Sequence, residues 1–405
     1  MGHNSTPDRS LVELTKTLTL RCRKSLLHPP TEAKVRTMPT TQFDLIVIGG
    51  GASGIAATWI LGQWRPSTRI LLLEKSRGWG GRMATRRHQE WVFDHGALRI
   101  ENFGDYNRDL WALGEFNLPD GLTDSRPDVL PDISANSSHP TRQFSHPHTA
   151  SRGMTAWAKR TLAQFSPQTN TRLEAQVSKL DRQASQWTVT LNSGEEFTST
   201  HLLITAPAPQ ARDLLGFSEN SATTWENAPA EWRERLLADP RLVKPPEYAN
   251  CVTALAGFLG DATSLRQAWS TLNSQWPEVM SWRWNDEQGP STRPALSLQM
   301  NAAWSLAHTI DEGGKPLAPS PQATTEILQK LKGFGLEPDF FDLKVWRYAY
   351  PVSVGSDVPS ETARLPSLNL GQKLWLAGDA WAGFGVRAAV FSGFMAARQV
   401  AEDLA

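Results

Sequence analysis

Cysteine is scarce in this chain, and its scarcity argues against two kinds of structure. The 405 residues include two cysteines, Cys22 and Cys251, which lie far apart in dissimilar surroundings. Such a pair cannot build a disulfide framework or a thiolate metal site, and it fits a reducing compartment. No CxxC, HExxH, GxSxG or GxxxxGK[ST] motif occurs, so thiol redox, zincin, hydrolase and P-loop chemistries lack support. We expect no bound metal.

Long apolar runs and an excess of charge are also missing. The longest apolar run is far shorter than the roughly 18 residues that a transmembrane helix needs. Lys+Arg and Asp+Glu number 41 each, so bulk electrostatics favours neither nucleic acid nor an anionic membrane as a partner. We therefore expect a cytoplasmic protein that acts on a small molecule.

The first 40 residues lack a hydrophobic period, and they are rich in Lys, Arg, Ser and Thr. Three interpretations remain open: a disordered tail, an organelle-targeting segment, or sequence upstream of a true start at Met38. The segment has no apolar stretch of the kind found in a secretory signal.

A glycine-rich turn between an apolar strand and a helix is the strongest feature present. Phe43–Ile48 predicts a buried strand and Ala52–Trp64 a helix, and Gly49, Gly51 and Gly54 form G-x-G-x-x-G between them. The first glycine allows the tight turn, the second lets backbone approach a pyrophosphate, and the third lets the helix pack on the strand. The free N–H groups and dipole of the helix then face the phosphates.

An acidic residue follows at the position where a ribose needs an acceptor. Arg69–Leu73 predicts a second strand, and Glu74 comes directly after it, 20 residues beyond Gly54. Strand, glycines, helix, strand and acid in this order indicate a dinucleotide-binding fold.

The far end of the chain carries a second turn of this type. LWLAGD predicts a buried strand that ends at Gly378-Asp379, and glycines at 383 and 385 precede a final helix that starts near Val386. This stretch resembles the C-terminal flavin motif of the glutathione-reductase-like FAD proteins, especially the amine-oxidase and renalase group. The resemblance implies that Asp379 contacts the ribityl or phosphate region of FAD. The helix N-terminus would face the flavin edge on which negative charge develops.

Other stretches resemble the same group over nearly the whole chain from Phe43 onward. They are EKSRGWGGRMATRR, FDHGA, SRGMTAWAKRTL, AQVSKLD, LLITAP and WRYAYP. Residue by residue, the resemblance implies that FAD is bound by Gly49, Gly51, Ser53, Gly54, Glu74, Lys75, Gly81, Arg82, Ala97, Leu98, Arg99, Val177, Gly378, Asp379, Val386 and Arg387.

The set looks most like renalase-like oxidases, which implies hydride transfer from a dihydronicotinamide isomer to FAD, with O2 as acceptor giving H2O2. No second GxGxxG occurs, so a reduced nicotinamide would enter the substrate pocket and react directly with the flavin. The alternatives are a flavin amine oxidase, a desaturase or isomerase of an apolar substrate, and a flavin-bound scaffold or sensor without turnover.

Two departures from the group bear on the substrate. The chain has D-H-G-A-L-R at Asp94–Arg99 where renalases tend to have D-L-G-A-Q-Y, so polar contacts near the ring differ. Arg99 either favours an anionic ligand or pairs with a surface carboxylate. The aromatic residues that flank an amine in flavin amine oxidases have four candidates here: Trp346, Tyr348, Tyr350 and Trp381. Asp94 and His95 are neighbours in an extended segment and point to opposite faces, which disfavours a catalytic dyad.

Tryptophan is unusually common, with 17 residues against 4 tyrosines. A group of tryptophans in the middle of the chain either walls a ligand pocket or fills a core: Trp269, Trp276, Trp282, Trp284 and Trp304.

The fold that we expect is α/β, with a Rossmann-type FAD-binding domain interrupted by a mixed α+β substrate domain. The FAD-binding domain would comprise residues 41–104, 151–215 and 360–405, and the substrate domain residues 105–150 and 216–359. Strands are predicted at Leu173–Asp181, Trp187–Leu191, Glu196–Ser199, His201–Thr205, Cys251–Leu259, Val279–Trp284, Leu296–Met300 and Leu343–Tyr350. Helices are predicted at Asp105–Phe116, Gly153–Phe165, Gln210–Leu215, Ala230–Ala238 and Gln322–Lys332.

Overall fold

The computed structural model describes residues 41–98, 153–219, 221–285, 293–313, 316–353, 367–383 and 385–404. Arg99, the predicted helix at Asp105–Phe116 and the first 40 residues lie outside these ranges. No helix within them is long and apolar enough to cross a membrane. In the same ranges, no group of three or more His, Cys, Asp or Glu side chains is arranged to hold a metal ion.

A parallel sheet forms the larger layer of the molecule. Its five parallel strands have the order β16-β8-β1-β2-β5, and β15 adds an antiparallel edge beside β16. The antiparallel meander β6-β7-β8 extends the same sheet, because β7 pairs with the N-terminal half of β8. The strands are β1 (Gln42–Ile48), β2 (Ile70–Leu73), β5 (Thr169–Arg172), β6 (Val177–Gln183), β7 (Gln186–Leu191), β8 (Glu196–Ile204), β15 (Ser367–Asn369) and β16 (Leu374–Ala377).

Two helices from opposite ends of the chain pack together on this sheet. Helix α1 (Ala52–Trp64) is buried from Ala52 to Gly62, because it lies in the same core as the strands and the C-terminal helix. At Gly393 of that C-terminal helix, an added Cβ would lie 2.2 Å from the Ser53 carbonyl oxygen. The two backbones approach so closely that a side chain does not fit between them.

A second, antiparallel sheet is built from the middle of the chain. Its strands have the order β10 (Val279–Trp284), β11 (Ala295–Met300), β9 (Glu247–Gly257) and β14 (Phe340–Ser353). The long strands β9 and β14 pair over most of their length. Two helices cover one face, where the cluster includes Trp269, Trp276, Trp282 and Trp284, all at most 8% exposed. These tryptophans therefore fill a core, while Trp304 is partly buried and stacks on His308 at 3.8 Å.

The remaining elements connect or flank the two sheets. A small ribbon of β3 (Thr85–His88) and β4 (Trp91–Asp94) lies between β2 and β5 in the chain, and its aromatic residues pack on the second sheet. The remaining strands are β12 (Thr309–Ile310) and β13 (Ala318–Pro319). The helices are α2 (Thr155–Leu162), α3 (Ala208–Leu214), α4 (Ala230–Ala238), α5 (Pro240–Val243), α6 (Ala262–Leu272), α7 (Ala302–Ala307), α8 (Pro321–Gly333), α9 (Asp379–Ala382) and α10 (Gly385–Asp403).

Several local predictions are confirmed, and two are wrong. Two short strands were expected on either side of Thr200, but β8 runs through it without a break because it pairs with β1 on one side throughout. The strand predicted at Leu173–Asp181 is interrupted, since Leu173–Gln176 leaves β5 and turns toward the meander. Helix α6 was not predicted, although Asp261 accepts a hydrogen bond from the Ser264 N–H at 2.8 Å and provides a capping signal in the sequence.

Candidate dinucleotide and substrate site

The carboxyl ends of three parallel strands bring the two glycine-rich turns to one edge of the sheet. The turn of Gly49–Gly51 follows β1, Glu74 follows β2, and Gly378-Asp379 follows β16. In open α/β sheets, ligands bind at this edge. The predicted cofactor residues from both ends of the chain therefore share one edge.

Two glycines of the first turn have different physical roles. A Cβ added to Gly54 would lie 1.9 Å from the Gly49 carbonyl oxygen, so glycine is required there by the packing of the protein itself. A Cβ added to Gly51 would meet no atom within 4 Å. The space beside Gly51 is open, and it lies at the N-terminus of α1, where no side chain caps the helix.

A buried hydroxyl stands next to this open space. Ser53 is 3% exposed, and its Oγ has no hydrogen-bond partner among the described residues. A buried hydroxyl is normally satisfied, and the uncapped N–H groups of a first helical turn attract anions. The open cradle, the free hydroxyl and the helix end fit a pyrophosphate.

Glu74 lies beside the same turn and is buried. One carboxylate oxygen accepts from the Gly50 N–H and the other from the Ser76 N–H, each at 2.8 Å. A carboxylate has more than two acceptor positions, so these bonds orient the group and leave positions for ribose hydroxyls. The next residue, Lys75, is exposed.

Arg82 and Asp379 form a bidentate ion pair. Arg82 follows Gly80, whose N–H donates to the Gly50 carbonyl oxygen at 2.8 Å, so the pair links the first glycine turn to the second through this segment. Arg82 Nη1 lies 2.6 Å from Asp379 Oδ2, and Nη2 lies 2.7 Å from Oδ1. Burial alone would lower the pKa of Arg82, but the charge and hydrogen bonds of Asp379 outweigh it and raise the pKa. The pair joins residues that are 297 positions apart in the chain.

The same pair contacts the second sheet. Arg82 Nη1 also donates to the carbonyl oxygens of Tyr348 and Ala349, at 3.4 and 3.1 Å. Tyr248 donates its hydroxyl proton to Asp379 Oδ1 at 3.1 Å, and its ring meets the Tyr348 ring edge-on at 5.9 Å. Burial, followed by the charge of Asp379, raises the pKa of Tyr248, so this hydroxyl remains a donor at neutral pH.

Sequence reasoning missed Tyr248. A signal was available, because the chain has only four tyrosines and three of them lie on β9 and β14, the two strands that pair most extensively. Scarcity of a residue type combined with its clustering would have identified the position.

The D-H-G-A loop is held by the turn that contains Arg82 and by the second sheet. The Ala97 N–H donates to the Arg82 carbonyl oxygen at 2.7 Å. From the second sheet, Gln299 Nε2 donates to the Gly96 carbonyl oxygen at 2.6 Å, and Arg283 Nη1 donates to that of Leu98 at 2.7 Å. Gln299 and Arg283 carried no recognisable motif, and only the folded sheet places them against the loop.

The side chains of Asp94 and His95 contact different parts of the protein, as expected for neighbours in an extended segment. Asp94 is fully buried, and its Oδ1 accepts from the Thr85 hydroxyl and the Met154 N–H at 2.6 and 2.8 Å. His95 instead stacks on Trp346, with ring centroids 5.3 Å apart. The two side chains form no dyad.

Burial and, to a smaller extent, the charges of Lys344 and Arg86 lower the pKa of His95 to about 4. Asp342 pairs with both of these cations. The imidazole is therefore neutral at physiological pH.

The remaining predicted residues have varied placements. Gly49 and Gly81 lie in the glycine turns beside Gly51, Val177 is buried at the start of β6, and Arg387 is half-buried in the first turn of α10. Trp381 is 8% exposed and Val386 6%, and both pack in core clusters. Of the aromatic candidates, Trp346 donates its indole N–H to the His95 carbonyl oxygen, and Tyr350 is half-buried on β14 with a pKa raised to about 12 by burial.

Comparison with known proteins agrees with this architecture. Residues 47–114 match a family model described as an NAD(P)-binding Rossmann-like domain. The fold is mixed α/β with a Rossmann-like domain. No curated protein matches the sequence.

Solved structures of three enzymes align with nearly the whole chain. A putative protoporphyrinogen oxidase from Exiguobacterium sp. 255-15 has a TM-score of 0.58 at 15% identity, covering 89% of this chain and 99% of its own. Cyclohexylamine oxidase from Brevibacterium oxydans IH-35A has a TM-score of 0.54 at 15% identity, with coverages of 89% and 99%. A conjugated-linoleic-acid-producing (CLA-producing) fatty acid isomerase from P. acnes has a TM-score of 0.53 at 11% identity, with coverages of 88% and 98%. The chain shares their fold.

The low pKa of His95 predicts a pH dependence of stability. Its ordinary pKa of 6.5 in the unfolded chain exceeds the folded value of about 4, so the unfolded state binds more protons between these values. The free energy of unfolding should therefore fall as pH is lowered from 6.5 to 4, by up to about 3 kcal/mol from this group. Urea unfolding from pH 4 to 8 measures the slope, and His95→Phe should flatten it. An equal slope in both proteins would contradict the prediction.

Proposed function

We propose that this chain is an FAD-dependent oxidoreductase that takes hydride from a small neutral donor of the dihydronicotinamide type and uses O2 as acceptor. The observation that carries the proposal is the Arg82–Asp379 ion pair. It joins the glycine turn after β16 to the Gly80–Arg82 segment, and the Gly80 N–H in turn donates to the Gly50 carbonyl oxygen of the glycine turn after β1 at 2.8 Å. The resemblance assigns the two glycine turns to the two halves of FAD.

The residues at the two glycine turns fit a dinucleotide cofactor that is long enough to reach both. The N-terminus of α1 and the free Ser53 hydroxyl would hold the pyrophosphate, and Glu74 the adenosine ribose. Arg82 and Asp379 would hold the ribityl and phosphate region, and the glycine turn before α10 would face the flavin edge. An NAD-only protein has no use for the second turn, which favours FAD.

When bound, FAD would supply a two-electron acceptor that takes hydride from the donor and, with a proton, returns the electron pair to O2 as H2O2. The chain's own part is to bind and orient. Asp379 is fixed by Arg82 and Tyr248. The D-H-G-A loop is fixed by side chains of the second sheet, which donate to the carbonyl oxygens of Gly96 and Leu98. Such fixed geometry provides the positioning on which hydride transfer depends.

FAD content tests the first part of the proposal. The purified protein should be yellow and should release FAD in a 1:1 ratio on denaturation. Glu74→Gln should weaken FAD retention by roughly 1–3 kcal/mol, because the amide leaves buried donors poorly paired. Glu337→Gln changes a carboxylate that is 72% exposed beyond the end of α8, and it should leave retention unchanged. A folded protein that takes up no FAD would contradict the proposal.

An anaerobic donor screen tests the second part. Mixing with 2- or 6-dihydronicotinamide isomers should bleach the flavin within seconds, and readmitted O2 should restore the colour and produce H2O2. One alternative has support of its own, since the edge-on pair of Tyr248 and Tyr348 could flank an amine, and cyclohexylamine oxidase shares the fold. Bleaching by amines alone would favour that reaction. Bleaching by neither would favour an isomerase, or a sensor without turnover.

A further inference from the structure

Thr205 lies between the two glycine-rich turns. It follows β8 directly, and β8 pairs with β1 on one side and with β16 on the other. The direction of the chain across the sheet changes here, because β1 leads through α1 to β2, on the side of β1 that faces away from β8. In open α/β sheets, ligands bind in the crevice at such a switch point. Thr205 therefore borders the predicted nucleotide site.

The hydroxyl of Thr205 contacts the first glycine turn. Its Oγ1 donates to the carbonyl oxygens of Gly49 at 2.9 Å and of Ile48 at 3.1 Å. A Cβ added to Gly49 would lie 2.7 Å from this hydroxyl oxygen, and a Cβ added to Gly54 would lie 2.8 Å from it. The hydroxyl thus occupies the space that two glycines leave, and it gives the Gly49 carbonyl a donor.

The opposite side of the same peptide unit is held by Glu74. A trans peptide directs its C=O and its N–H to opposite sides, so the Gly49 carbonyl and the Gly50 N–H turn together. The Gly50 N–H donates to Glu74 Oε2 at 2.8 Å. Thr205 and Glu74 therefore hold one peptide plane from its two sides, and they connect the ends of β8, β1 and β2.

Without the hydroxyl, rotation of this peptide plane meets less resistance. Glycine lies on both sides of it, and Gly49 has a φ of +114°, in a region that glycine adopts readily. A rotated plane would turn the Gly49 carbonyl oxygen toward the Glu74 carboxylate, and the two negative groups would repel each other. Glu74 would lose the Gly50 N–H and retain the Ser76 N–H as a donor.

We propose that Thr205 is a positioning residue for the nucleotide: its hydroxyl fixes the peptide plane between Gly49 and Gly50 and thereby aims the Glu74 carboxylate at the ribose. The inference rests on the proposed function, which assigns Glu74 to the adenosine ribose, and it adds the residue that sets the orientation of this carboxylate. Thr205 acts through Glu74 and does not need to touch the nucleotide. Its loss should weaken recognition of the ribose, whereas damage to the fold would weaken the binding of every nucleotide alike.

Two nucleotides that differ in one ribose hydroxyl test this role. The probes are ADP and 2′-deoxy-ADP, and the full chain is titrated with each by calorimetry at pH 7.5 after removal of bound FAD. Wild type should prefer ADP at least about tenfold, because the deoxy sugar lacks a hydroxyl that donates to the carboxylate. Thr205→Ala should reduce this preference to about threefold or less. Thr205→Ser differs from Thr205→Ala by the hydroxyl alone, and it should restore the wild-type preference to within about twofold.

Thr200 supplies the matched control on the same strand. Its Oγ1 donates to the Asp44 carbonyl oxygen at 2.9 Å, so Thr200→Ala also removes a hydroxyl that links β8 to β1. Asp44 lies near the start of β1, at the other end from the glycine turn, and the preference for ADP should keep its wild-type value. Should Thr205→Ala lose its cooperative unfolding transition, Thr205→Val removes the same hydroxyl and retains the β-branched shape.

The inference and the proposed function can fail separately. A wild-type preference for ADP in Thr205→Ala, or a Thr205→Ser variant that behaves like Thr205→Ala, would overturn the inference and leave the proposed function standing. A wild-type protein that retains FAD and does not distinguish ADP from 2′-deoxy-ADP would have the same consequence. A wild-type protein that binds neither FAD nor ADP would overturn both.

Discussion

Replacing Gly51 with alanine is expected to abolish FAD binding and leave the fold intact. The added methyl group meets no protein atom within 4 Å, and the backbone φ of −81° suits any residue. The free energy of unfolding without cofactor should therefore stay within about 0.5 kcal/mol of wild type. The methyl group would, however, occupy the space through which a pyrophosphate approaches the backbone. FAD affinity should fall at least about 100-fold, measured by quenching of flavin fluorescence on titration.

Gly54→Ala is the matched variant on the same turn. Its methyl group would lie 1.9 Å from the Gly49 carbonyl oxygen and 2.8 Å from the Thr205 hydroxyl, so the helix must move away from the strand. This overpacking should cost roughly 1–3 kcal/mol of stability in the cofactor-free protein. The two variants thus separate a glycine required by the ligand from one required by the fold. Full FAD affinity in Gly51→Ala would show that no phosphate approaches this turn.

Truncating Arg82 to alanine is expected to destabilise the protein by about 3 kcal/mol. Asp379 has a side chain that is 7% exposed, and it would lose a bidentate partner while its charge stays buried. Tyr248 alone would remain as a donor. Chemical unfolding of the cofactor-free protein measures the loss. FAD retention should fall as well, because the two glycine turns would no longer be joined.

A second substitution, which removes the charge of Asp379, shows whether the loss of stability in Arg82→Ala comes from leaving this carboxylate without its partner. Arg82→Ala combined with Asp379→Asn should be more stable than Arg82→Ala alone, since the buried charge has gone. Arg398→Ala removes an exposed ion pair with Glu402 on α10, and it should cost at most about 0.5 kcal/mol. If Arg82→Ala cost no more than Arg398→Ala, the ion pair would not hold the two turns together.

Local sequence signals predicted three elements to the residue. Helix α1 begins and ends where the pattern indicated, and so do α4 and β10. These elements have regular apolar spacing or clear glycine and proline boundaries, so the short-range pattern suffices. The break expected near Thr200 did not occur, because pairing with β1 along β8 outweighs the polar residues at that point.

The tryptophan group shows where composition stops being informative. The sequence left both a pocket and a core open and favoured the core, since aromatic rings suit both but more often fill a core. In the structure, Trp269 on α6 meets Trp276 and Trp282 edge-on at 6.3 and 5.5 Å, and all three are buried in one core cluster with apolar residues of α8. The residues of the same sheet that contact the D-H-G-A loop are polar instead, namely Gln299 and Arg283.

The sequence by itself determined that this chain has a dinucleotide fold with two glycine-rich turns, because strand, turn, acid and helix are short-range features that residue order encodes directly. Only the tertiary structure decided that Arg82 would pair with Asp379, that Tyr248 would join them, and that His95 would lie against Trp346. Those contacts join residues between 131 and 297 positions apart. They arise from which strands become neighbours in the two sheets, and no local pattern of residues specifies that.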